Sequence, residues 1–296
     1  FQLGAYIKYI PYPVVSGFMS GIGGIIILLQ IFPFIGQASP KNVIDVLSHI
    51  TDVMPLINWD AVIISSSTVA IIYLFPRFTK AVPSTMVALI SMTIVTTWVG
   101  LEVPVIGSIP SSLPEVKLGT IVNINGSDIT LIIELALTLA LLGAIDSLLT
   151  SVIADNITKT KHHSNRELLG QGIGNIMAGC IGGLPGAGAT VRTLVNINAG
   201  GRTPLSGLTH GIVLLTTLVG LGNYAEEIPI PVLAGILTTV GIGIIDYKGF
   251  RHIKSVPRTD AIVMLIVLGM TVFVDLIQAV AVGLILSSIL FMKQMR

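Results

Sequence analysis

Asp146 and Thr150 stand four residues apart in the run 129–154, ITLIIELALTLALLGAIDSLLTSVIA, where the only other charge is Glu134. Positions i and i+4 share one face of a helix, so the carboxylate and the hydroxyl point the same way. A carboxylate inside an apolar span is costly, and by default it marks a functional site with a partner. Further along, residues 182–192 read GGLPGAGATVR, in which four glycines, a proline and an arginine break an apolar chain. Backbone opened in this way cannot face hydrocarbon and must line an enclosed or watery cavity. A short helix restarting over 187–198 then offers its first free N–H groups and the positive end of its dipole, an anion site within the membrane.

The two stretches supply complementary chemistry. Asp146, Thr150 and the freed carbonyls of Gly188 and Ala189 are hard oxygen donors that suit a small hard cation such as Na⁺. The opening amides of the half-helix suit an anion, with Arg192 either touching it or pairing with a carboxylate or carbonyl. Without a cation, Asp146 repels such an anion by on the order of ~4 kcal/mol at contact distance and intermediate dielectric. A bound cation reverses that sign, and linkage makes each ion tighten the other. Plainer roles exist for the same residues. Asp146 can form an ion pair with Arg192, and the hydroxyls of Ser147, Thr150 and Ser151 can bond back to the preceding turn. Gln171 and Asn175 share a helix face and can buttress the site or simply tie helices together. Glu134, about 18 Å along the helix from Asp146, reads as an interfacial charge or gate element.

The elements that must hold these residues follow from composition. The chain has 296 residues, 52% hydrophobic and 10% charged, whereas soluble domains carry about 25% charge. It is a multi-pass, all-α membrane protein. The net charge is +1 and the basic residues occur in separate loops rather than as one patch, so no nucleic-acid partner is expected. One cysteine, Cys180, excludes an internal disulfide and a cysteine-rich metal site. The glycine run lacks a following Lys-Ser/Thr, so it is no phosphate loop. No arrangement of nucleophile and base has reaction geometry, so an enzyme is not expected, nor a cofactor beyond a coupling ion. The chain starts at Phe1 without methionine or signal peptide and is expected to be a piece of a longer protein.

At about 20 residues per crossing, spans are expected at 14–34, 61–75, 82–99, 129–154, 167–181, the interrupted 187–198, 205–222, 232–245, 261–276 and 279–292. Residues 42–54 are amphipathic and belong on the surface, and 107–123 form a long exposed loop with short strands. All Lys and Arg except Lys41, Lys117 and Arg192 then fall on one side, the cytoplasmic one, provided the half-helix counts as a crossing. Asp155, Asp246 and Asp260 sit at cytoplasmic span ends, where solvation is expected. Gly17, Gly21 and Gly24, like Gly170 and Gly174, have the spacing of close helix packing. Residues 10–27 align with 228–245 without gaps, eight of eighteen positions being identical and the prolines paired. The charge rule gives the two copies opposite polarity, an inverted repeat of the transporter kind. The first copy has little chain before it, so the partner of the broken helix is expected upstream of Phe1.

The segments AIDSLLTS at 144–151, NRELLGQGIGN at 165–175, GGLPG at 182–186 and GGRT at 200–203 resemble the SulP/SLC26 anion transporters, and among these the sodium-dependent bicarbonate group of cyanobacteria. The resemblance covers most of the chain. It implies a partial 7+7 inverted-repeat fold, lacking the first four helices and a cytoplasmic STAS domain, with a half-helix at the substrate site. Implied domains are a gate domain over 1–100 and 226–296, an extracellular loop over 101–127 and a core domain over 128–225. By position it assigns Asp146, Thr150, Gly188, Ala189 and Thr190 to sodium or its bicarbonate neighbourhood, with Ala189, Thr190 and Arg192 toward the anion. The implied protein is a homodimeric plasma-membrane symporter of Na⁺ and bicarbonate, working in the bilayer by movement of core against gate. Proton-coupled transport of sulfate or another anion, and a passive anion channel, are the alternatives.

Overall fold

The computed structural model describes residues 11–79, 82–108, 126, 128–189, 192–193, 196–197, 200–220, 222–252, 258–274, 278–279, 282–283, 285–287 and 289. Its helices are α1 (Tyr12–Phe34), α2 (Val43–Val53), α3 (Trp59–Leu74), α4 (Ser84–Val99), α5 (Ile129–Thr158), α6 (Ser164–Cys180), α7 (Leu205–Gly220), the short α8 (Gly222–Glu226), α9 (Ile230–Ile244), the short α10 (Tyr247–His252) and α11 (Arg258–Phe273). Among the described residues the only β pairing is one antiparallel bridge, Val105 with Pro229. Three stretches, Tyr12–Phe34, Trp59–Arg77 and Ile129–Val152, are long and apolar enough to cross a membrane unaided. Four shorter apolar helices accompany them. The expected spans are helical where described, apart from some end residues and 187–189; α10 is an addition to them, and the spans 187–198, 261–276 and 279–292 are described only in part. The loop expected over 107–123 lies outside the described residues from 109 onward.

The chain divides into two compact units, Phe1–Pro11 with Ser112–Leu214, and Tyr12–Ser111 with Leu215–Arg296. In the second unit α1 and α9 run antiparallel. The Ser65 hydroxyl lies between the carbonyls of Phe34, which ends α1, and Pro231, which opens α9, at 3.1 and 2.9 Å. At the other end Tyr12 and Ser16 of α1 reach Asp246, just past α9.

Where these helices cross, side chains are absent because there is no room. A Cβ on Gly23 falls 2.7 Å from the Gly241 carbonyl and 2.9 Å from Ile245, and one on Gly241 falls 3.0 Å from the Gly23 carbonyl and 2.8 Å from Ile27. Gly23 and Ile27 align with Gly241 and Ile245 in the repeat, so equivalent residues meet reciprocally, as across a local two-fold axis. The flanking contacts obey the same rule. Gly17 sits against Met264 and Val267 of α11, and its repeat counterpart Gly235 sits against Ser65 and Thr68 of α3. In a bilayer, such backbone approach replaces the hydrophobic drive that water would supply. Val14, Phe18, Ile64, Val232, Val263 and Val267 fill the spaces between and are almost wholly buried.

Asp246 departs from the solvated role expected of it. Its carboxylate accepts hydrogen bonds from the Tyr12 and Ser16 hydroxyls and from the Gly249 N–H, while its own N–H donates to Ser20. One side chain thereby ties α1 to the turn between α9 and α10. On the opposite side, residues 104–107 pair with 226–230, the N–H of Ile106 donating to Ile228 at 3.0 Å and that of Ile230 to Pro104 at 2.8 Å.

Candidate functional site

The other unit is built on α5, a single helix of 30 residues. At 1.5 Å per residue it measures about 45 Å, longer than the hydrocarbon core. Its last turns project beyond the expected end at 154 and stop at Lys159, held in the left-handed region at φ 59°. Asp155 organises the connection to α6. One carboxylate oxygen accepts from the His162 N–H at 2.8 Å and meets the His162 ring nitrogen Nδ1 at 2.7 Å, and the other accepts from Thr160 at 3.1 Å. Desolvation pushes the Asp155 carboxyl upward, but the donors from His162 and Thr160 outweigh it and hold it below its usual value.

Helix α6 ends because Gly182 takes up φ 69°, a conformation a side chain strains. The Gly183 N–H returns to the Ala178 carbonyl at 2.7 Å and the Gly182 N–H to Gly179 at 3.1 Å, a Schellman closure. The chain then runs without regular secondary structure past Leu184 and Pro185 and is gripped at two glycines. At Gly186 the Asn175 amide accepts the peptide N–H at 2.9 Å and donates to the carbonyl at 3.1 Å. At Gly188 the N–H donates to the Ser147 hydroxyl at 2.9 Å, and the carbonyl accepts from Thr150 at 3.3 Å. A side chain at 188 is crowded, since a Cβ there lies 3.0 Å from the Ser147 Cα and α5 or the loop would have to give. The next contact is helical, the Thr193 N–H donating to the Ala189 carbonyl at 3.0 Å, and residues 192–193 and 196–197 are in helix. The interrupted span therefore restarts after Ala189, later than the expected 187.

Of the residues singled out in the sequence, Thr150 and Gly188 are in contact, with Asp146 one turn before Thr150 on α5 and Ala189 next to Gly188. Thr190 lies outside the described residues. Asp146 is half-buried and, among the described residues, has no ion pair or hydrogen bond. Arg192 is exposed, and the ion pair with Asp146 weighed above is not formed. The carbonyls of Gly188 and Ala189 are not wholly free, since each accepts one bond, but a carbonyl oxygen has a second lone pair. Ser151 does bond back to its own helix, to Ser147 at 3.0 Å. Ser147 does not spend its acceptor locally. It takes the Gly188 N–H, a role that a hydroxyl next to Asp146 leaves open in sequence. Asn175 is the expected buttress, and Gln171 instead meets Glu167 on its own helix at 3.4 Å. Glu134 is exposed. No group of three or more His, Cys, Asp or Glu among the described residues could hold a metal ion.

Hydroxyl and carboxylate oxygens on one face of α5 thus lie with a twice-pinned glycine loop that leads into a helix start. Several known proteins resemble this chain. It is 44% identical over 298 residues to the bicarbonate transporter BicA of Synechocystis sp., covering 99% of this chain and 52% of the relative. To the putative sulfate transporter YvdB of Bacillus subtilis it is 32% identical over 303 residues, covering 100% of this chain and 57% of the relative. The chain thus spans about half the length of these curated relatives. Among solved structures, the transmembrane domain of a cyanobacterial BicA superposes with a TM-score of 0.82 at 44% identity, over 94% of this chain and 70% of that one. SLC26A9 superposes with a TM-score of 0.84 at 19% identity, over 99% and 48%, a likeness of fold. The model of the sulfate permease family matches residues 1–267, and the chain belongs to that family.

Proposed function

We propose that this chain is the larger membrane part of a sodium-coupled bicarbonate symporter. The observation that carries the reading is the pairing of Thr150 with the Gly188 carbonyl, with Asp146 a turn away on α5. Their oxygens are 3.3 Å apart, long for a hydroxyl hydrogen bond. Two ligands at right angles around a hard cation roughly 2.4 Å away are about 3.4 Å apart. A sodium ion bridging the two, with Asp146 neutralising it and Ala189 and Thr190 adjacent, needs little rearrangement. Bicarbonate then takes the first amides of the helix that follows, near Ala189, Thr190 and Arg192, and the electrostatic linkage makes the two ions bind together. Similarity to BicA over nearly the whole chain supports bicarbonate as the anion.

Transport proceeds by movement of a core, about 128–225, against a gate formed by 1–100 and 226–296, in a homodimer at the plasma membrane. The division into two compact units supports this reading, although its boundary at Leu214 falls within α7. The test is uptake of labelled bicarbonate by the full-length protein at fixed pH. Uptake that fails in sodium-free medium and accumulates bicarbonate against its gradient is the expected result. Undiminished flux without sodium removes the coupling, and flux only down the gradient makes the protein a channel. A second reading has its own support: the similarity to the putative sulfate transporter YvdB supports sulfate or another anion as the cargo, and an Asp146 with no hydrogen bond or ion pair among the described residues supports coupling to protons. Sodium-independent uptake that rises with acidity identifies it.

A further inference from the structure

The loop between α6 and the restarting helix has little to hold it except the hydrogen bonds of Ser147, Asn175 and Thr150. Residues 182–187 are exposed, and Leu184 is 90% exposed, so apolar burial does not fix their path. Glycine at 186 and 188 allows the backbone many alternatives. We propose that Ser147 and Asn175 are positioning residues: they select, from these alternatives, the one loop conformation in which the Gly188 carbonyl faces Thr150. The proposal rests on the reading of this region as an ion site.

The assignment of roles follows from geometry. Ser147 and Thr150 are three residues apart on α5 and grip Gly188 from both sides, the first through its N–H at 2.9 Å and the second through its carbonyl at 3.3 Å. If a cation replaces the Thr150 proton at that carbonyl, the Thr150 bond is lost on binding, whereas the Ser147 bond persists. Ser147 is 2% exposed, so no water competes for its oxygen. Asn175 fixes both polar groups of Gly186, which sets the direction from which the chain enters the bend. Neither side chain needs to touch an ion. Both act on the fraction of molecules whose loop is ready, and a reduced ready fraction weakens apparent affinity in proportion while saturating ion restores it.

The experiment is sodium-dependent uptake of labelled bicarbonate by the full-length protein bearing Ser147→Ala, Ser147→Cys or Asn175→Ala. Loss of a hydrogen bond of ordinary net worth corresponds to about a fivefold rise in the sodium concentration for half-maximal uptake. The expected result is that rise in all three variants, with maximal uptake at saturating sodium within about twofold of wild type. Cysteine fills the space of serine but is a weak acceptor, so it behaves as alanine does if the oxygen matters. A cysteine variant equal to wild type, or a fall in maximal uptake with an unchanged sodium requirement, overturns the proposal. If wild-type uptake proves indifferent to sodium, the coupling reading fails by itself. The brace is then judged by the bicarbonate KM, and an unchanged KM in the alanine variants overturns it.

Discussion

Glycine does opposite things in the two units. In the scaffold unit, Gly17, Gly21, Gly23, Gly235 and Gly241 are places where a single added carbon collides, at 2.4 to 2.8 Å, with a neighbouring helix. In α6 of the site unit, Gly170, Gly172, Gly174 and Gly179 have nothing within 4 Å of such a carbon. The packing expected from spacing is therefore realised at Gly17 and Gly21, is loose at Gly24, where Val272 lies at 3.6 Å, and is absent at Gly170 and Gly174. Spacing alone does not separate a glycine that admits a neighbour from one that leaves a helix thin. One unit uses glycine to lock helices together, and the other, at Gly188, uses it to let the backbone reach the hydroxyls of α5.

The largest effect that sharpens this contrast belongs to the site. Asp146→Asn is expected to abolish sodium-coupled uptake while the protein still reaches the membrane in normal amount. Wild-type sodium dependence in that variant removes Asp146 from the site. Gly188→Ala comes next, since its methyl meets the α5 backbone at Ser147. It should weaken apparent sodium affinity about fivefold or more with little change in thermal stability, because the Ser147 grip of about 1 kcal/mol, the one that persists on binding, acts on the loop alone. Gly17→Ala is the scaffold counterpart. Overpacking against the Met264 carbonyl should cost about 1–3 kcal/mol, read as a lower melting temperature in detergent with unaltered ion affinity in the surviving protein. Gly172→Ala, with open space around it, should instead raise stability by about 0.5–1 kcal/mol. If both substitutions lower the melting temperature equally, the contrast between the units is lost.

The smallest effect concerns pH at the α5–α6 connection. Because Asp155 is held below its usual value in the folded protein, its bonds contribute stability above the ordinary carboxylate range. That contribution disappears as pH falls through the lowered value. Asp155→Asn should flatten the acid side of the melting curve measured against pH and leave the neutral side nearly parallel to wild type. A steeper acid decline in the variant contradicts the assignment.

Much of this was legible in residues 129–192 because the signals there are local. Hydrophobic length predicts the spans, and Gly-Gly-Leu-Pro-Gly predicts the break, since no apolar helix tolerates that run. The spacing of Asp146 and Thr150 predicts a shared face. What stayed hidden depends on partners distant in sequence. Asp246 reads as a solvated helix-end charge until Tyr12 and Ser16 are brought to it from the far end of the chain. Ser147 and Ser151 are indistinguishable as hydroxyls in a span, yet one grips Gly188 and the other its own helix. Asp146 and Arg192 are opposite charges flanking one loop, but the helical restart after Ala189 leaves the guanidinium exposed rather than paired.

The reciprocal meeting of Gly23 with Ile245 and Gly241 with Ile27 carries one last consequence. Surfaces that touch their own copy are what closed dimers use, yet here both copies are threaded on one polypeptide. The same two side chains, Ile27 and Ile245, thus cover the same two glycines from either side, so enlarging one glycine disturbs the seat of both.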